Sequence, residues 1–342
     1  MKRMSYRISK AGSLNNLKLV EEEISAPAPN EVTVEIKAIG LNFADVFTIF
    51  GLYKAAPKRD FIPGLEFSGT IAAKGKDVHD LKVGERVMGS VRFGSYTTQL
   101  NIDRRYVTGI PDGWTFEEGA SFIVQALTAY YALVPLGGIR NGQTVLIHSA
   151  GGGVGIYANR IAKKFSAYTI GTIGSPSKMG IVQAEGYDRV IVRNSHFKTE
   201  LEKALDGREL DIVLDAVGGK VQKDSFDSLT ITGRLVAYGL SQFASPGARP
   251  NYLKLAHHFI TMPRYQTLTL IESNKSVLGF NLIWLYDRVD MLKTILDEVQ
   301  ALKLEKPYIG AVFPFDRLKE AVSTFQSGRT TGKIVVTAND GR

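Results

Sequence analysis

The 342-residue sequence contains no cysteine. That one absence removes disulfides, thiolate zinc sites, iron–sulfur clusters and cysteine nucleophiles together, and it suits a reducing compartment. Long apolar runs are scarce as well. The stretch SVLGFNLIWLY (276–286) reads as the longest and falls well short of the roughly 20 residues a bilayer-spanning helix needs. The N-terminus, MKRMSYRISKAGSLNN, starts basic, but no apolar core follows, so no secretory signal is expected. Low-complexity tracts and internal repeats are missing too. The expectation is a cytoplasmic protein without integral membrane association.

Acidic residues are outnumbered: 42 Lys and Arg against 34 Asp and Glu give a net charge of +8. Nucleic-acid binding favours basic residues gathered on one face, whereas the longest basic runs here are the pairs Lys2-Arg3, Arg104-Arg105 and Lys163-Lys164. Dispersed cations suit a small, highly charged ligand, and no nucleic-acid partner is expected.

What is present changes texture along the chain. Residues 32–38 (VTVEIKA) alternate apolar and polar, and EFSGTIAA (66–73), ERVMGS (85–90) and SYTTQLNI (95–102) are strand-like between turns, which predicts a β domain. Thr115 and Glu118 have capping-box spacing ahead of the helical run AYYALV (129–134). Alternation follows. TVLIH (144–148), YTIGT (168–172), RVIV (189–192), DIVLDAV (211–217) and GRLVAYG (233–239) are short apolar strands separated by helical sequence, the pattern of a parallel sheet covered on both faces. SQFASPGARP (241–250) reads as a surface loop. A helix-period stretch (289–302), a strand (308–314), a second helix (316–326) and a final strand (332–338) follow, and are expected to pack on the first domain.

The most specific local feature is HSAGGGVG. Ala150, Gly152 and Gly155 occupy the three positions of a G-x-G-x-x-G fingerprint, after a strand and before a helix. Backbone N–H groups at such a helix start, aided by the helix dipole, hold a dinucleotide's pyrophosphate. An NAD site usually has an acid about 20 residues further on. Here the next strand leads into GSPSK (174–178), with Ser175 and Lys178 and no acid, and Arg193 ends the third strand. Added cations without a repelling carboxylate favour NADPH.

Several segments in this order, GLNFADVF (40–47), PGLEFSG (63–69), GERVMG (84–89), ALTAYYAL (126–133), AGGGVG and DAVGG (215–219), resemble the quinone oxidoreductases, the zinc-free branch of the medium-chain dehydrogenase/reductases. The C-terminal stretch is most similar to the vesicle amine transport protein-like subgroup. The resemblance spans essentially the whole chain. It implies an α/β protein with a GroES-like β-rich catalytic domain (1–122), a doubly wound Rossmann domain (123–282) and a C-terminal return to the catalytic domain (283–342). NADPH would lie in the cleft between them.

Residue by residue, the resemblance implies that Asn42 and Asp45 line the cleft, that Tyr53 lies near nicotinamide and quinone, and that Thr128 lies at the nicotinamide. Ala150, Gly152, Gly153, Val154 and Gly155 would hold the diphosphate. Gly171, Thr172, Ser175 and Lys178 match the adenosine-phosphate positions, with Arg193 where many members carry tyrosine. Gly239, Phe280, Asn281 and Lys333 would contact the cofactor late in the chain. Arg160 replaces a usual glutamine, with little consequence expected.

Zinc-dependent relatives place a thiolate and a histidine where Asn42 and Leu65 stand here. His257 and His258 are adjacent, about 100° apart on a helix, and do not make an i, i+4 metal pair. His148 reads as a packing residue. No metal is expected. The implied activity is hydride transfer from NADPH to a quinone or related electron-poor acceptor, with Tyr53, Asn42 and Thr128 as its catalytic side chains. Tyr53 could equally be plain cleft lining, and Asp45 a structural hydrogen-bonding residue. Alternatives are reduction of an enone or enal, and a weakly catalytic NADPH-binding protein that serves a membrane or regulatory partner. A homodimer is expected through the SVLGFNL strand.

Overall fold

Alternating side chains in the first hundred residues direct their apolar members into one sheet. The structure, a computed structural model, describes residues 2–338. Strands β1 (Lys2–Ile8) and β2 (Leu17–Glu23) form an antiparallel ribbon. β3 (Glu31–Gly40) follows, with Val32, Val34 and Ile36 buried, then helix α1 (Phe43–Ile49) and strands β4 (Glu66–Lys74), β5 (Arg86–Ser90), β6 (Gln99–Asp103) and β7 (Val107–Gly109). The strand expected at 95–102 begins later because residues 91–98 lie in irregular backbone.

Helix α2 (Phe116–Gly119) has the predicted capping box, in which Thr115 Oγ1 accepts the Glu118 N–H at 3.2 Å and Glu118 Oε2 accepts the Thr115 N–H at 2.7 Å. Helix α3 (Ile123–Tyr131) runs on into a π-turn over Ala132–Leu136. Pro135 has no N–H to continue the α ladder, and the Gly137 N–H reaches the Ala132 carbonyl five residues back at 2.8 Å. Residues 116–136 thus exceed 276–286 as the longest apolar stretch. They have the length and apolarity of a membrane span, but 72% of the apolar window is buried inside the protein.

The second sheet comes from β8 (Thr144–His148), α4 (Gly153–Lys164), β9 (Tyr168–Ile173), α5 (Met179–Ala184), β10 (Arg189–Val192), α6 (Phe197–Leu205), β11 (Leu210–Asp215), α7 (Gly219–Asp227) and β12 (Leu229–Ala237). After two short helices, α8 (Tyr252–Ile260) and α9 (Thr267–Ser273), comes a sixth strand, β13 (Ser276–Gly279). The order is β10-β9-β8-β11-β12-β13 and every pairing is parallel. Five strands were expected. The sixth is the SVLGFNL strand that the resemblance implied, of which only four residues are extended.

Helix α10 (Val289–Ala301), strand β14 (Ile309–Pro314), helix α11 (Leu318–Gln326) and strand β15 (Lys333–Thr337) complete the described chain. The return is to the first sheet, whose order is β14-β15-β3-β4-β5-β7 with β6 also paired to β3. Leu318, Val322, Ile334 and Val336 join Ile36, Ile39, Leu41 and Phe67 in its core.

Among the connections that link the two halves, three bear on the cleft. Gly332 N–H donates to the Gly151 carbonyl at 2.7 Å. Arg160 binds both Glu185 carboxylate oxygens at 2.7 and 2.8 Å and the Glu305 and Lys306 carbonyls at 3.0 and 2.8 Å, so this departure from the family pattern fastens α4 to the return. The third is the 241–250 loop. Its Ala248 carbonyl accepts the Leu14 N–H and Ser13 hydroxyl, and its Gly247 carbonyl accepts Gln326 Nε2 at 2.7 Å.

Candidate functional site

Strand β8 ends at His148, and Ser149 turns the backbone at φ 57°. Helix α4 then starts with Gly152 as its N-cap, and no capping side chain covers the end. The N–H groups of Gly153, Val154 and Gly155 lie before any carbonyl of their own helix can reach them, which leaves an electropositive helix end open to an anion. Gly155 cannot be larger: a Cβ there would stand 2.5 Å from the Ser149 carbonyl oxygen and 2.8 Å from Ala150 Cα. This glycine therefore sets how closely helix meets strand.

Two cations flank that helix end. Lys178 follows β9 and donates to the Gly328 carbonyl at 2.6 Å, across from the return. Arg193 follows β10 and donates to Thr172 Oγ1 at 2.9 Å. Neither is ion-paired with a carboxylate among the described residues. Burial, and then the neighbouring Arg193, push the Lys178 pKa down; burial lowers that of Arg193. Two partly desolvated positive charges in one corner are relieved by an anion.

A buried polar cluster adjoins the glycine loop, with the Gln125 side chain against Gly153. Lys333 Nζ donates to Glu66 Oε2 at 2.7 Å and to Asn42 Oδ1 at 2.9 Å, with Lys333 2% and Glu66 0% exposed. Gln125 Nε2 donates to the same two oxygens at 2.9 and 3.0 Å, and the Val124 N–H takes Glu66 Oε1. Burial lowers the Lys333 pKa against the pull of Glu66. Beside this cluster Thr128 is 7% exposed. Tyr53 donates its hydroxyl proton to Asn281 Oδ1 at 2.7 Å, and burial pushes its pKa up to about 12, which keeps it protonated at neutral pH.

A single cleft of ≈ 1430 Å³ connects these parts. Of the residues singled out in the sequence, Asn42, Tyr53, Leu65, Thr128, Gly152, Gly153, Val154, Gly155, Lys178, Arg193, Gly239, Phe280, Asn281 and Lys333 all line it. Others stand behind the wall. Ala150 and Gly171 are buried in contact with each other, where a Cβ on Gly171 would come 2.9 Å from that of Ala150. Thr172 is fully buried and braces Arg193 and His148. Ser175 caps the short turn Pro176–Lys178 with its side chain.

Asp45 is 1% exposed and outside the cleft lining; its Oδ2 accepts the Asn42 N–H at 2.8 Å and closes the capping box of α1. Burial, with Asn42 and Lys333 opposing it, raises its pKa to about 7. His148 is wholly buried between Thr172 and Ser225, and burial lowers its pKa to about 3. Glu66 and Gln125 were missed. Each had a signal, an acid opening an apolar strand and a lone amide in the apolar run ASFIVQALTAYY. Among the described residues no group of three or more His, Cys, Asp or Glu converges.

Residues 28–136 match the family model described as an alcohol dehydrogenase GroES-like domain, and residues 186–336 the one described as a zinc-binding dehydrogenase. The synaptic vesicle membrane protein VAT-1 homolog of Rattus norvegicus is 31% identical over 314 residues, 91% of this chain and 78% of that protein. Among solved structures, the CurK enoyl reductase superposes with a TM-score of 0.83 at 28% identity, covering 98% of this chain and 99% of that one. Escherichia coli quinone oxidoreductase, solved in complex with NADPH, has a TM-score of 0.83 at 26% identity over 98% of this chain and 100% of that one. The chain belongs to the medium-chain dehydrogenase/reductase family, in the quinone-oxidoreductase-like branch that includes the VAT-1 homologues.

Proposed function

We propose that the protein is an NADPH-dependent reductase that passes hydride to a quinone or related electron-poor acceptor without zinc. One observation carries the reading: a single cleft joins the open N-terminus of α4 and the Lys178–Arg193 corner to Tyr53, Thr128 and Asn42. When bound, NADPH supplies a hydride. The chain's own residues do the rest. The amides of Gly153, Val154 and Gly155 hold the diphosphate, and Lys178 and Arg193 meet the 2′-phosphate, Arg193 with a fork suited to it. Asn42, fixed by Lys333 and Gln125, and Thr128 orient the nicotinamide. Tyr53, protonated at neutral pH, turns its one O–H from Asn281 to donate a hydrogen bond to the acceptor oxygen, and solvent or this hydroxyl provides the proton.

A quinone accepts hydride readily, so positioning in a dry cleft suffices and no Lewis acid is required. The absence of cysteine, the Asn42 and Leu65 side chains at the metal-ligand positions, and the Lys333 ammonium bonded to Asn42 support a zinc-free site, despite the name of the matched family model. A second reading, reduction of an α,β-unsaturated carbonyl, is favoured by the similarity to an enoyl reductase over the whole chain. We also infer a cytosolic homodimer, joined through the outer edge of β13.

The test is NADPH oxidation across a panel of quinones and enones, with NADH as control. Quinone turnover that prefers NADPH is expected. Turnover of enones with inert quinones would replace the first reading by the second. Tight NADPH binding without turnover of either would leave a cofactor-binding protein, in line with the vesicle membrane name of the rat relative.

A further inference from the structure

Helix α8 is a short amphipathic helix with no buried residue. Its side chains divide by position. Tyr252, Leu255, Ala256 and Phe259, spaced i, i+3, i+4 and i+7, line the cleft, and Met262 and Pro263 extend that wall beyond the last turn. Leu253, 87% exposed, and Ile260, 74% exposed, are outside the cleft lining.

The helix is held at its two ends. Upstream, Asn251 caps it through Lys254 N at 3.0 Å, and the preceding loop is tied to Leu14, Ser13 and Gln326. Downstream, the Tyr265 ring lies against Phe226 with centroids 4.7 Å apart. Between those anchorages the His258 ring lies near Phe243, with ring centroids 5.7 Å apart, and Lys254 Nζ donates to the Ala244 carbonyl at 3.1 Å, while the apolar face closes one side of the cleft and leaves Tyr252 66% exposed. Phe259 remains 65% exposed.

The charged parts of the cofactor have places elsewhere, at the α4 amides and the Lys178–Arg193 corner. The cleft face of α8 carries no charged group except Lys254 at its edge. A cleft of ≈ 1430 Å³ is also larger than the roughly 300–1,000 Å³ that encloses one drug-sized ligand. It has room for a dinucleotide and a second, apolar molecule.

Resting on the reductase reading above, we propose that the acceptor is an electron-poor, carbonyl-conjugated head with an unbranched alkyl tail, and that the tail lies along α8 on Leu255, Phe259 and Met262. The head stays beside Tyr53 and Thr128. From Tyr252 to Phe259 the helix rises about 10 Å, the length of about eight extended methylenes. Tail recognition therefore grows with length and then stops.

The experiment measures kcat/KM with NADPH for two homologous series, trans-2-alkenals and 2-alkyl-1,4-benzoquinones, so that the shared tail is separated from either head. In the wild type, kcat/KM is expected to rise about twofold to fourfold per methylene, the range for partial to full burial, and to level off near about eight carbons. Phe259→Ser and Leu255→Ser flatten that slope. Leu253→Ser, outside the cleft, leaves it as in the wild type, and thermal melts check that all three fold.

Turnover that ignores chain length in the wild type, or equal slopes in F259S and L253S, overturns the tail site while the reductase reading stands. No turnover of any member of either series overturns the reductase reading itself.

Discussion

At the scale of single residues, the proposed preference for NADPH rests on the Lys178–Arg193 corner. Lys178 already carries a burial cost and repulsion from Arg193, so replacing it with an acid reverses the sign of the field where a 2′-phosphate would lie. Charge-assisted hydrogen bonds contribute about 1.5–3 kcal/mol, which predicts that Lys178→Glu weakens NADPH about 10- to 100-fold. NADH, without that phosphate, should lose little. Equal losses in a calorimetric titration would remove Lys178 from the 2′-phosphate site.

Glu66 stakes more on folding. It is the carboxylate facing the buried Lys333 ammonium, and removing one partner of a buried pair leaves the other uncompensated. Glu66→Gln is expected to cost about 3–5 kcal/mol in denaturant unfolding. The double variant Glu66→Gln with Lys333→Met should recover part of that loss, and a purely additive result would deny the coupling.

Among elements, α1 shows how local chemistry and site geometry meet. Asn42 and Asp45 close its capping box, and the same Asn42 directs its amide oxygen to Lys333 and Gln125. A helix start thereby fixes a cleft residue. Burial raises the Asp45 pKa from 3.8 to about 7, so the folded protein keeps a proton there that the unfolded chain releases across that interval. Its contribution to stability is complete below the unfolded value and disappears as pH climbs through the folded one. Asp45→Asn still accepts the Asn42 N–H but cannot ionise. Urea midpoints at about pH 5 and about pH 8 should show the wild type losing ground to the variant as pH rises; parallel behaviour would mean that Asp45 titrates normally.

The elements also explain what could be read in advance. The glycine loop, the Thr115–Glu118 capping box and the alternating strands were legible because each depends on local spacing. β13, four extended residues without a period, was legible only through the family resemblance. The π-turn at Pro135 and the standing of Ala150, Gly171 and Thr172 behind the wall depend on contacts far along the chain. Glu66 and Gln125 escaped for the same reason: their importance arises only when β15 delivers Lys333 between them.

For the whole molecule, the parallel order β10-β9-β8-β11-β12-β13 leaves β13 at one margin of the sheet, and among the described residues its outer edge pairs with no other strand. Such an edge presents unpaired N–H and C=O groups that invite a further strand. Leu268 and Ile271 of the adjoining α9 are 62% and 70% exposed, apolar surface suited to being covered by the same contact. A twofold mate adding β13 to β13 would continue the sheet and bury both features, and a stable interface needs about 1,200–2,000 Å² in total. Sedimentation velocity at micromolar concentration should therefore report twice the 37.5 kDa chain mass. Ile271→Asp, placing a charge in that contact, should shift the boundary toward the monomer while far-UV circular dichroism shows the chain still folded. A wild-type monomer under those conditions would leave the edge strand to some other cover.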